Sequence, residues 1–431
     1  MTRRWSWLIV LAMVATPLWL PATAGAEHKD DPRSRNMHPL GHIVEPASLL
    51  NPDVGNPNIH TDIAFWGKYA FQGTWLGFNI RRIAAPGHPK QVSFTPCEGN
   101  QGDVVVWDDI LVRSWNSPAA GTETCDGEPV AAGFEGLHVF DVSNLEDPVL
   151  VASVETECGS HTATGVPDKA NDRLLIYNNS SSGACPGLDI VEVPFDDPAS
   201  ASLLRFEAAE RQCHDTGVIL GDAMLAACAG GDGYTLWSLG GPAGGTLEDP
   251  EFLYSRVVPD VTIGHSAAFS WDGEVVIFGH EPGGGVAAEC EDPDEDFKKS
   301  YFFFDAATGD ELGRWTLPRP QSATENCTLH NLNVVPLRSG RDVLVHGSYQ
   351  SGTSVVDFTD PANAVELGWS DPPPIEPPDL GGAWSSYWYN NFIYETNITE
   401  GLNVFRFSGR ATAGALRLGH LNPQTQETTL P

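Results

Sequence analysis

The sequence predicts an all-β fold: a seven-bladed β-propeller of four-stranded antiparallel blades. Three observations predict it. A strand–turn–strand pattern recurs seven times, the intervals between the copies suit one four-stranded sheet each, and the composition is rich in turn and aromatic residues without sustained helical periodicity. The 431 residues include 44 glycines, 33 prolines and 13 tryptophans, and 41% are hydrophobic. A closed array of such repeats forms one domain despite its length.

The clearest copy of the repeat is GLHVFDVSNLEDPVLVASVE, residues 136–155. Its alternating first half predicts a strand, the segment SNLEDP predicts a turn, and the β-branched run after it predicts a second strand. The other copies begin at Gly77, Gly187, Gly233, Ser300, Gly352 and Gly401. The seven starting points are separated by 59, 51, 46, 67, 52 and 49 residues. Each interval has room for the four short strands of a propeller blade.

In each blade the chain is expected to begin with the innermost strand and to end with the outermost. Blade one then consists of DIAFWGKY, YAFQGTW, GFNIRRI and KQVSFTP, and blade two of DVVVWDD, ILVRSW, GLHVFDV and VLVASV. Blades three to six open at HTATG, HDTGV, HSAAF and HNLNV, and blade seven consists of WSSYWYN, FIYETNI, NVFRFSG and GALRLGHL. Because the first and last blades are both complete in this interpretation, ring closure is not expected to need a shared blade.

The pattern G-L-x-V-x-D-V-S-x-x-x-x-P-x-L-V at residues 136–151 resembles the LVIVD repeat of exported bacterial and archaeal propeller proteins. It is partial in the copies at Gly187 and Gly352, and the remaining copies keep only the strand pattern. The resemblance implies a propeller fold and an exported compartment. It implies no particular activity, because propellers host many unrelated functions.

The N-terminus has the pattern of a signal peptide over residues 1–26. Arg3 and Arg4 precede an apolar run, and the segment AGA at 24–26 predicts cleavage before Glu27. Both the twin-arginine and the general secretory route fit this pattern. The sequence contains no second long apolar run, so a transmembrane anchor is not expected. The expected location is therefore secreted and extracellular, with association to the cell surface left open.

The mature chain is divided by composition into three parts. Residues 27–59 are polar and proline-rich and are interpreted as an N-terminal extension that lies over the propeller or supplies an edge strand. Residues 60–420 form the propeller, and residues 421–431 a C-terminal tail. The net charge of −33 makes the protein acidic and excludes a nucleic-acid partner, because phosphate binding needs a basic surface. A monomer is expected.

Histidines recur in register at the start of four predicted innermost strands: His161, His214, His265 and His330. The starts of such strands meet around one mouth of the central channel, so the four imidazoles are expected to converge there. Neutral imidazole is the commonest protein ligand of Zn, Cu and Fe, and the sequence therefore predicts a site for one of these metals. The alternative is that the repeated histidine is an inherited structural residue. His280 and His346, each near the end of a second strand, are candidates for supporting the imidazoles at the same mouth. Asp215 and Glu325 are the nearest carboxylates in sequence that would orient an imidazole or act as a general base.

All eight cysteines of this exported chain are expected in disulfides. The loop that precedes an innermost strand and the loop that joins the second and third strands emerge on the same face of a propeller. Four cysteines lie in loops of the first kind and four in or beside loops of the second kind. This topology favours the pairs Cys97–Cys125, Cys158–Cys185, Cys213–Cys228 and Cys290–Cys327. Together they would cross-link the face that holds the histidines.

Other signals are weaker. The acidic, glycine-rich insertion at 281–296 has carboxylates that a calcium ion could use, but it lacks the ordered spacing of a calcium loop, so a solvated loop is favoured. The aromatic residues of blade seven more often pack between blades than line a ligand site. They are Trp384, Tyr387, Trp388 and Tyr389. Motifs of serine hydrolases, zinc proteases and phosphate-binding loops are absent from the sequence.

Two functions follow from these observations. The first is an extracellular binding or scaffold protein without catalysis, whose ligand is a protein, a glycan or a small molecule. The second is a metal-dependent propeller enzyme, an oxidoreductase in one version, with the four histidines as ligands of Cu, Fe or Zn. Propeller oxygenases and copper-dependent thiol oxidases place histidines from several blades on the channel axis in a similar way, although the chain carries no motif of either group.

Overall fold

The computed structural model of the protein describes residues 31–44, 58–180, 185–376, 378–427 and 430. They form seven antiparallel sheets of four or five strands, arranged as a seven-bladed β-propeller. The innermost strands are His60–Trp66, Val104–Trp107, Thr162–Asp168, Asp215–Ile219, Gly264–Phe269, Leu332–Val334 and Ala383–Tyr389. The second strands are Tyr69–Thr74, Ile110–Trp115, Arg173–Asn179, Leu225–Gly230, Val275–His280, Val343–Gly347 and Phe392–Asn397. The predicted fold class is confirmed.

The third strands begin at or directly after the predicted repeat starts. They are Gly77–Arg82, Gly136–Asp141, Gly187–Pro194, Gly233–Ser238, Ser300–Asp305, Thr353–Asp357 and Gly401–Phe407. The outermost strands of blades one to six are Lys90–Pro96, Val149–Glu155, Ser202–Ala208, Glu251–Val257, Glu311–Thr316 and Val365–Ser370. Thr124–Cys125 and Glu128–Pro129 form a small separate hairpin.

The helices of the described residues are short 3-10 segments. They are Pro198–Ser200, Gly241–Ala243, Pro282–Gly285, Asp296–Lys299, Pro361–Asn363 and Arg410–Thr412. No helix within the described ranges is both long enough and apolar enough to cross a membrane. The predicted signal peptide lies outside these ranges.

The apolar core lies between the blades. Each pair of neighbouring blades, including blades seven and one, encloses one cluster of buried hydrophobic side chains. Phe78 of blade one meets Phe140 of blade two edge to face, and Phe65 of blade one stacks on Tyr389 of blade seven. Since every blade buries both faces against its neighbours, the starts of all innermost strands are fixed around one channel.

The ring closes differently from the interpretation of the sequence. The outermost strand of blade seven is Met37–Ile43, which pairs antiparallel with Gly401–Phe407. Blade seven is thus shared between the two ends of the chain, and GALRLGHL is not its fourth strand. Met37 is buried there and joins the cluster between blades six and seven. The prediction that the N-terminal extension lends an edge strand agrees with this pairing; the prediction that closure needs no shared blade is wrong.

The last described residues cross the channel at the end opposite the histidines. His420–Leu421 pairs with the end of the innermost strand of blade one, and Thr425–Gln426 pairs in parallel with Val218 and Ile219 of blade four. Between them, the Asn422 side chain bonds the backbone N–H and C=O of Val106, both at 2.9 Å. This segment therefore joins the inner edges of several blades.

Candidate metal centre

The four predicted histidines lie side by side at one mouth of the channel. His161 and His214 directly precede the innermost strands of blades three and four, His265 is the second residue of that strand in blade five, and His330 precedes it in blade six. The ring centroids of successive histidines are 4.4, 4.3 and 4.3 Å apart. Four adjacent blades thus contribute one imidazole each to a continuous row, which we call the histidine cluster.

Both ends of the histidine cluster are held by acceptors from the next blades. At one end, Nδ1 of His330 donates to the carbonyl oxygen of Trp384 at 2.5 Å. At the other, Nδ1 of His161 donates to Oδ1 of Asn116 at 3.1 Å. In each ring the proton is therefore on Nδ1, and Nε2 carries a lone pair. A hydrogen bond of this kind fixes the tautomer and orientation of metal-binding histidines.

The imidazoles of the histidine cluster are neutral at physiological pH. Burial lowers the pKa of His214 to about 4 and that of His330 to about 3. Burial also holds the pKa of His161 and His265 well below the usual range, and the neighbouring imidazoles add to the effect. A row of neutral rings offers lone pairs to a cation, because protonated imidazole cannot act as a ligand.

A carboxylate that the sequence analysis did not assign to the site completes it. Oε2 of Glu281 is 3.9 Å from Nε2 of His265, and Oε1 is 3.6 Å from Nε2 of His330. Within the described ranges, one donor atom each from His214, His265 and Glu281 lie within 4.8 Å of one another. Burial raises the pKa of Glu281 to about 7, against the opposing effect of a hydrogen bond from Tyr349. One feature of the sequence points to it: Glu281 directly follows the strand that ends at His280.

The loop after the second strand of blade five holds the Glu281 carboxylate in position beside the histidine cluster. The Tyr349 hydroxyl donates to Oε1 of Glu281 at 2.7 Å. Gly285 packs against both groups, and a Cβ at that position would lie 2.5 Å from each of the two oxygens. The carbonyl of Gly285 accepts a hydrogen bond from the Asn326 side chain at 3.0 Å. Glycine is thus required for the carboxylate, the phenol and the loop to meet.

Aromatic side chains enclose the His330 end of the histidine cluster. The Tyr349 and Trp384 rings lie 4.6 and 5.0 Å from the His330 ring, centroid to centroid. Of the blade-seven aromatic residues singled out in the sequence, Trp384 therefore contacts the site. Tyr387, Trp388 and Tyr389 pack in the interfaces between blades instead.

The four disulfides are those expected from topology: Cys97–Cys125, Cys158–Cys185, Cys213–Cys228 and Cys290–Cys327. Cys213 is adjacent to His214, while Cys158 and Cys327 each lie three residues before a histidine of the cluster. The cross-links therefore restrain the segments that carry three of the four imidazoles. A restrained donor set loses less conformational entropy on binding a ligand.

The other candidate orienting residues do not contact the histidine cluster. His280 donates from Nε2 to the carbonyl of Phe297 at 2.6 Å. His346 is buried between Tyr301 and Trp315, and its Nδ1 hydrogen-bonds with the Ser348 hydroxyl.

The two predicted carboxylates also lie elsewhere. Glu325 accepts a hydrogen bond from the backbone N–H of Ser322 at 2.7 Å and so stabilises its own turn. Asp215 is buried deeper in the channel, where burial and the charge of Asp62 raise its pKa. Asp62 is held by the hydroxyls of Ser385 and Tyr387 and by the Gln424 side chain. In the described residues, no imidazole of the histidine cluster is hydrogen-bonded by Glu325 or Asp215.

The acidic loop considered for calcium uses its carboxylates internally. Nζ of Lys298 lies 2.6 Å from Glu289 and 3.9 Å from Asp294, and Nζ of Lys299 donates to the carbonyl of Glu291. No group of three carboxylates that would fit one ion occurs in the described part of this loop. Glu281, the first residue of the loop, lies at the histidine cluster instead.

The donors fit a transition metal. Bonds of about 2.0–2.2 Å to nitrogen and oxygen place tetrahedral donors about 3.4 Å apart. The separations of 3.6 and 3.9 Å between Glu281 and the two imidazoles approach that value. The buried Nδ1 atoms of His214 and His265 have no hydrogen-bond partner within the described ranges. A lone pair on Nδ1 of His214 would be satisfied by a cation in this dry site, whereas His265 would bind the cation through Nε2, the nitrogen that faces Glu281.

Comparisons with known proteins identify the architecture alone. No family model and no curated protein sequence matches the chain. Among solved structures, a candidate 6-phosphogluconolactonase from Bacteroides fragilis NCTC 9343 matches with a TM-score of 0.52 and 10% identity, covering 84% of this chain and 96% of its own. The WD40 propeller domain of Doa1 matches with a TM-score of 0.50 and 10% identity, covering 88% and 100%. At such identity the likeness shows the propeller fold.

Proposed function

We propose that this protein is an exported metalloprotein whose histidine cluster binds one ion of Fe, Cu or Zn for oxidoreductase chemistry. One observation carries the proposal. Four neutral imidazoles from four adjacent blades lie in ring contact, and the two outer rings have their Nδ1 protons fixed by acceptors. Imidazole sets with fixed tautomers are typical of zinc, copper and iron sites.

In this proposal the residues of the chain bind the metal ion, orient the imidazoles and exclude water from the site. The imidazoles of His214 and His265 present lone pairs to the ion, and the acceptors at His161 and His330 prevent the outer rings from turning. Trp384 and Tyr349 cover one side and exclude water. The bound ion would supply Lewis-acid or one-electron redox chemistry at the mouth of the channel.

Export is part of the same proposal. The signal-peptide pattern at 1–26 and the four disulfides support a secreted location, since disulfides persist outside the reducing cytosol. The LVIVD-like sequence at 136–151 supports membership of that group of exported propellers. Cleavage before Glu27 in a secreting host, measured by mass spectrometry of the mature chain, tests the export step.

A binding role without catalysis is the second proposal, and one cleft favours it. Between blades one and two, on the face that holds the histidine cluster, Trp75 and Trp115 line a cavity of about 410 Å³ together with Glu98, Asn100 and Glu123. Aromatic walls with a few polar groups are typical of small-molecule and glycan sites. In this version the histidine cluster is structural and the native protein carries no metal.

Metal analysis of the protein exported to a bacterial periplasm separates the two proposals. The metalloprotein proposal expects about one equivalent of Fe, Cu or Zn in the wild type. The double variant His214→Ala/His265→Ala should lose it, because it removes two of the three donors that lie within 4.8 Å of one another. The matched control is His346→Ala, which removes a buried histidine outside the cluster. A wild type free of metal after growth with each ion would contradict the proposal and favour the binding role.

A further inference from the structure

Glu281 is placed like a ligand rather than like a surface carboxylate. Its two oxygens face different imidazoles, at 3.9 Å from His265 and 3.6 Å from His330. With His214 and His265 it forms a group in which one donor atom from each residue lies within 4.8 Å of the others. The residue is 8% exposed, and it has no lysine or arginine partner there. A buried carboxylate without a cationic partner is costly unless a proton or a metal ion compensates it.

The surroundings of Glu281 are built to keep it at the histidines. Tyr349 holds Oε1, and the left-handed backbone at Gly285 (φ +72°) lets the loop close over both groups. The Cys290–Cys327 disulfide ties the same loop to the segment that leads into His330. Thr328 of that segment donates to the carbonyl of His280, one residue before Glu281. The carboxylate is therefore restrained from two sides by contacts outside the histidine cluster.

We propose that Glu281 is a metal ligand and that, with His214 and His265, it forms a two-histidine, one-carboxylate triad that binds Fe²⁺. This inference rests on the proposed metal site and specifies its ion. His161 and His330 flank the triad, with Nε2 directed by their fixed tautomers. Three such protein ligands would leave coordination positions open to an exogenous ligand, as is typical of non-haem Fe²⁺ sites.

The donor set favours a divalent ion over Cu⁺. Cu⁺ is selected by thiolate and thioether donors, whereas a carboxylate is a hard donor that suits Fe²⁺. Every cysteine of the chain is in a disulfide, so no thiolate can join the site. Removal of the carboxylate should therefore weaken Fe²⁺ binding much more than Cu⁺ binding.

Anaerobic titration of the metal-stripped, mature protein with Fe²⁺ and with Cu⁺ tests this assignment. Glu281→Gln should weaken Fe²⁺ binding by about 100-fold and Cu⁺ binding by about threefold or less, since the amide is a poorer donor for the harder ion. Tyr349→Phe, which keeps the carboxylate but removes its anchor, should weaken Fe²⁺ binding by about 10-fold. Glu289→Gln is the matched control in the same loop; Glu289 pairs with Lys298, so Fe²⁺ affinity should stay within about twofold of the wild type.

Spectroscopy tests whether the bound Fe²⁺ has coordination positions open to an exogenous ligand. Nitric oxide is the probe: in the Fe²⁺-loaded wild type it should give the electron paramagnetic resonance signal of a spin-3/2 iron–nitrosyl species, and the Glu281→Gln protein should lose or shift it. Thermal melting of each metal-free variant establishes that it folds. Equal Fe²⁺ affinity in wild type and Glu281→Gln would overturn the triad while leaving the histidine site intact. A wild type that takes up neither of these ions, nor Zn²⁺ in a parallel titration, would overturn the proposed function itself.

Discussion

The tautomers of the two outer imidazoles of the histidine cluster are set from outside the four blades that supply it. The acceptor for His161 is Asn116 of blade two, and the acceptor for His330 is the backbone of Trp384 in blade seven. The row of imidazoles is thus bounded on each side by the next blade of the ring. Because a ring closed on itself fixes these neighbours, the orientation of the two outer imidazoles depends on the whole propeller.

At the level of single residues, the four histidines of the site could be predicted from the sequence, but Glu281 could not. The register of the repeat was enough to predict that four histidines meet, because each stands at the start of an innermost strand. Glu281 lies after a strand, in an acidic insertion without repeat counterparts, and follows another polar residue, His280. The sequence does not tell which of two adjacent polar side chains faces the channel. That choice depends on the fold of the loop around Gly285 and on Tyr349, which is distant in sequence.

The partly buried carboxyl of Asp342 leads to a prediction about how the stability of the protein depends on pH. Burial, aided by the charges of Asp272, Asp357 and Glu274, raises the pKa of Asp342 to about 7. A carboxyl whose pKa is higher in the folded than in the unfolded state costs no stability at low pH, and its cost grows as pH rises through the folded value. We expect Asp342→Asn to raise the Tm by about 1–3 °C at pH 8, a range reduced for the partial exposure of the site, and to leave it nearly unchanged at pH 4.

Differential scanning calorimetry at the two pH values checks this expectation. Asp222→Asn, at an exposed aspartate in the 220–224 turn, is the control for a general effect of removing one negative charge from an acidic protein. A gain in Tm of equal size at pH 4 and pH 8 would contradict the assignment to Asp342.

At the scale of the strand, the recurring glycine has a steric origin. At Gly136 (φ +155°) a Cβ would lie 2.1 Å from the carbonyl oxygen of Val154, in the outermost strand of the same blade. At Gly401 (φ +106°) it would lie 2.3 Å from the carbonyl oxygen of Ile43. At these two repeat starts glycine is required because the outermost strand passes too close for a side chain, whereas blade five begins its third strand with Ser300. The glycine pattern was therefore a dependable guide to the third strands.

Substitution of this glycine should destabilise a blade. We expect Gly136→Ala to lower the free energy of unfolding by roughly 1–3 kcal/mol, because the added methyl group must displace backbone rather than a flexible side chain. Gly419→Ala is the matched control, since nothing lies within 4 Å of a Cβ built there. Urea unfolding followed by tryptophan fluorescence measures both. Equal stability of the two variants would show that the close approach at Gly136 relaxes at no cost.

At the scale of the whole molecule, the way in which the ring closes could not be predicted from the sequence. Met37 pairs with Phe407, and no local pattern links residues so far apart along the chain. The segment GALRLGHL has strand-like alternation, yet only His420–Leu421 within it forms a strand, and that strand pairs with blade one. Local alternation can predict that a strand forms, whereas its partner depends on which sheet edge remains open. In the ring, the N-terminal strand Met37–Ile43 occupies the open edge of blade seven.

The N-terminal strand should therefore hold the ring closed. Its loss exposes the edge of Gly401–Phe407 and removes buried Met37 from its cluster with Phe405 and Phe407. Loss of a buried methionine alone costs about 2–5 kcal/mol. We expect a chain lacking residues 1–44 to melt about 5–10 °C below a control chain lacking residues 1–30, and to associate through its open edge.

Addition of a synthetic peptide of residues 31–44 in excess should restore the Tm, because the peptide can pair with the vacant edge as an added strand. Calorimetry gives the Tm, and size-exclusion chromatography the association. If the shortened chain melts with the control and elutes as the same species, blade seven is stable with three strands and the ring is held by the interfaces between blades alone. Recovery with the 31–44 peptide but not with a scrambled peptide of the same composition would show that strand pairing, rather than general binding of a hydrophobic peptide, closes the propeller.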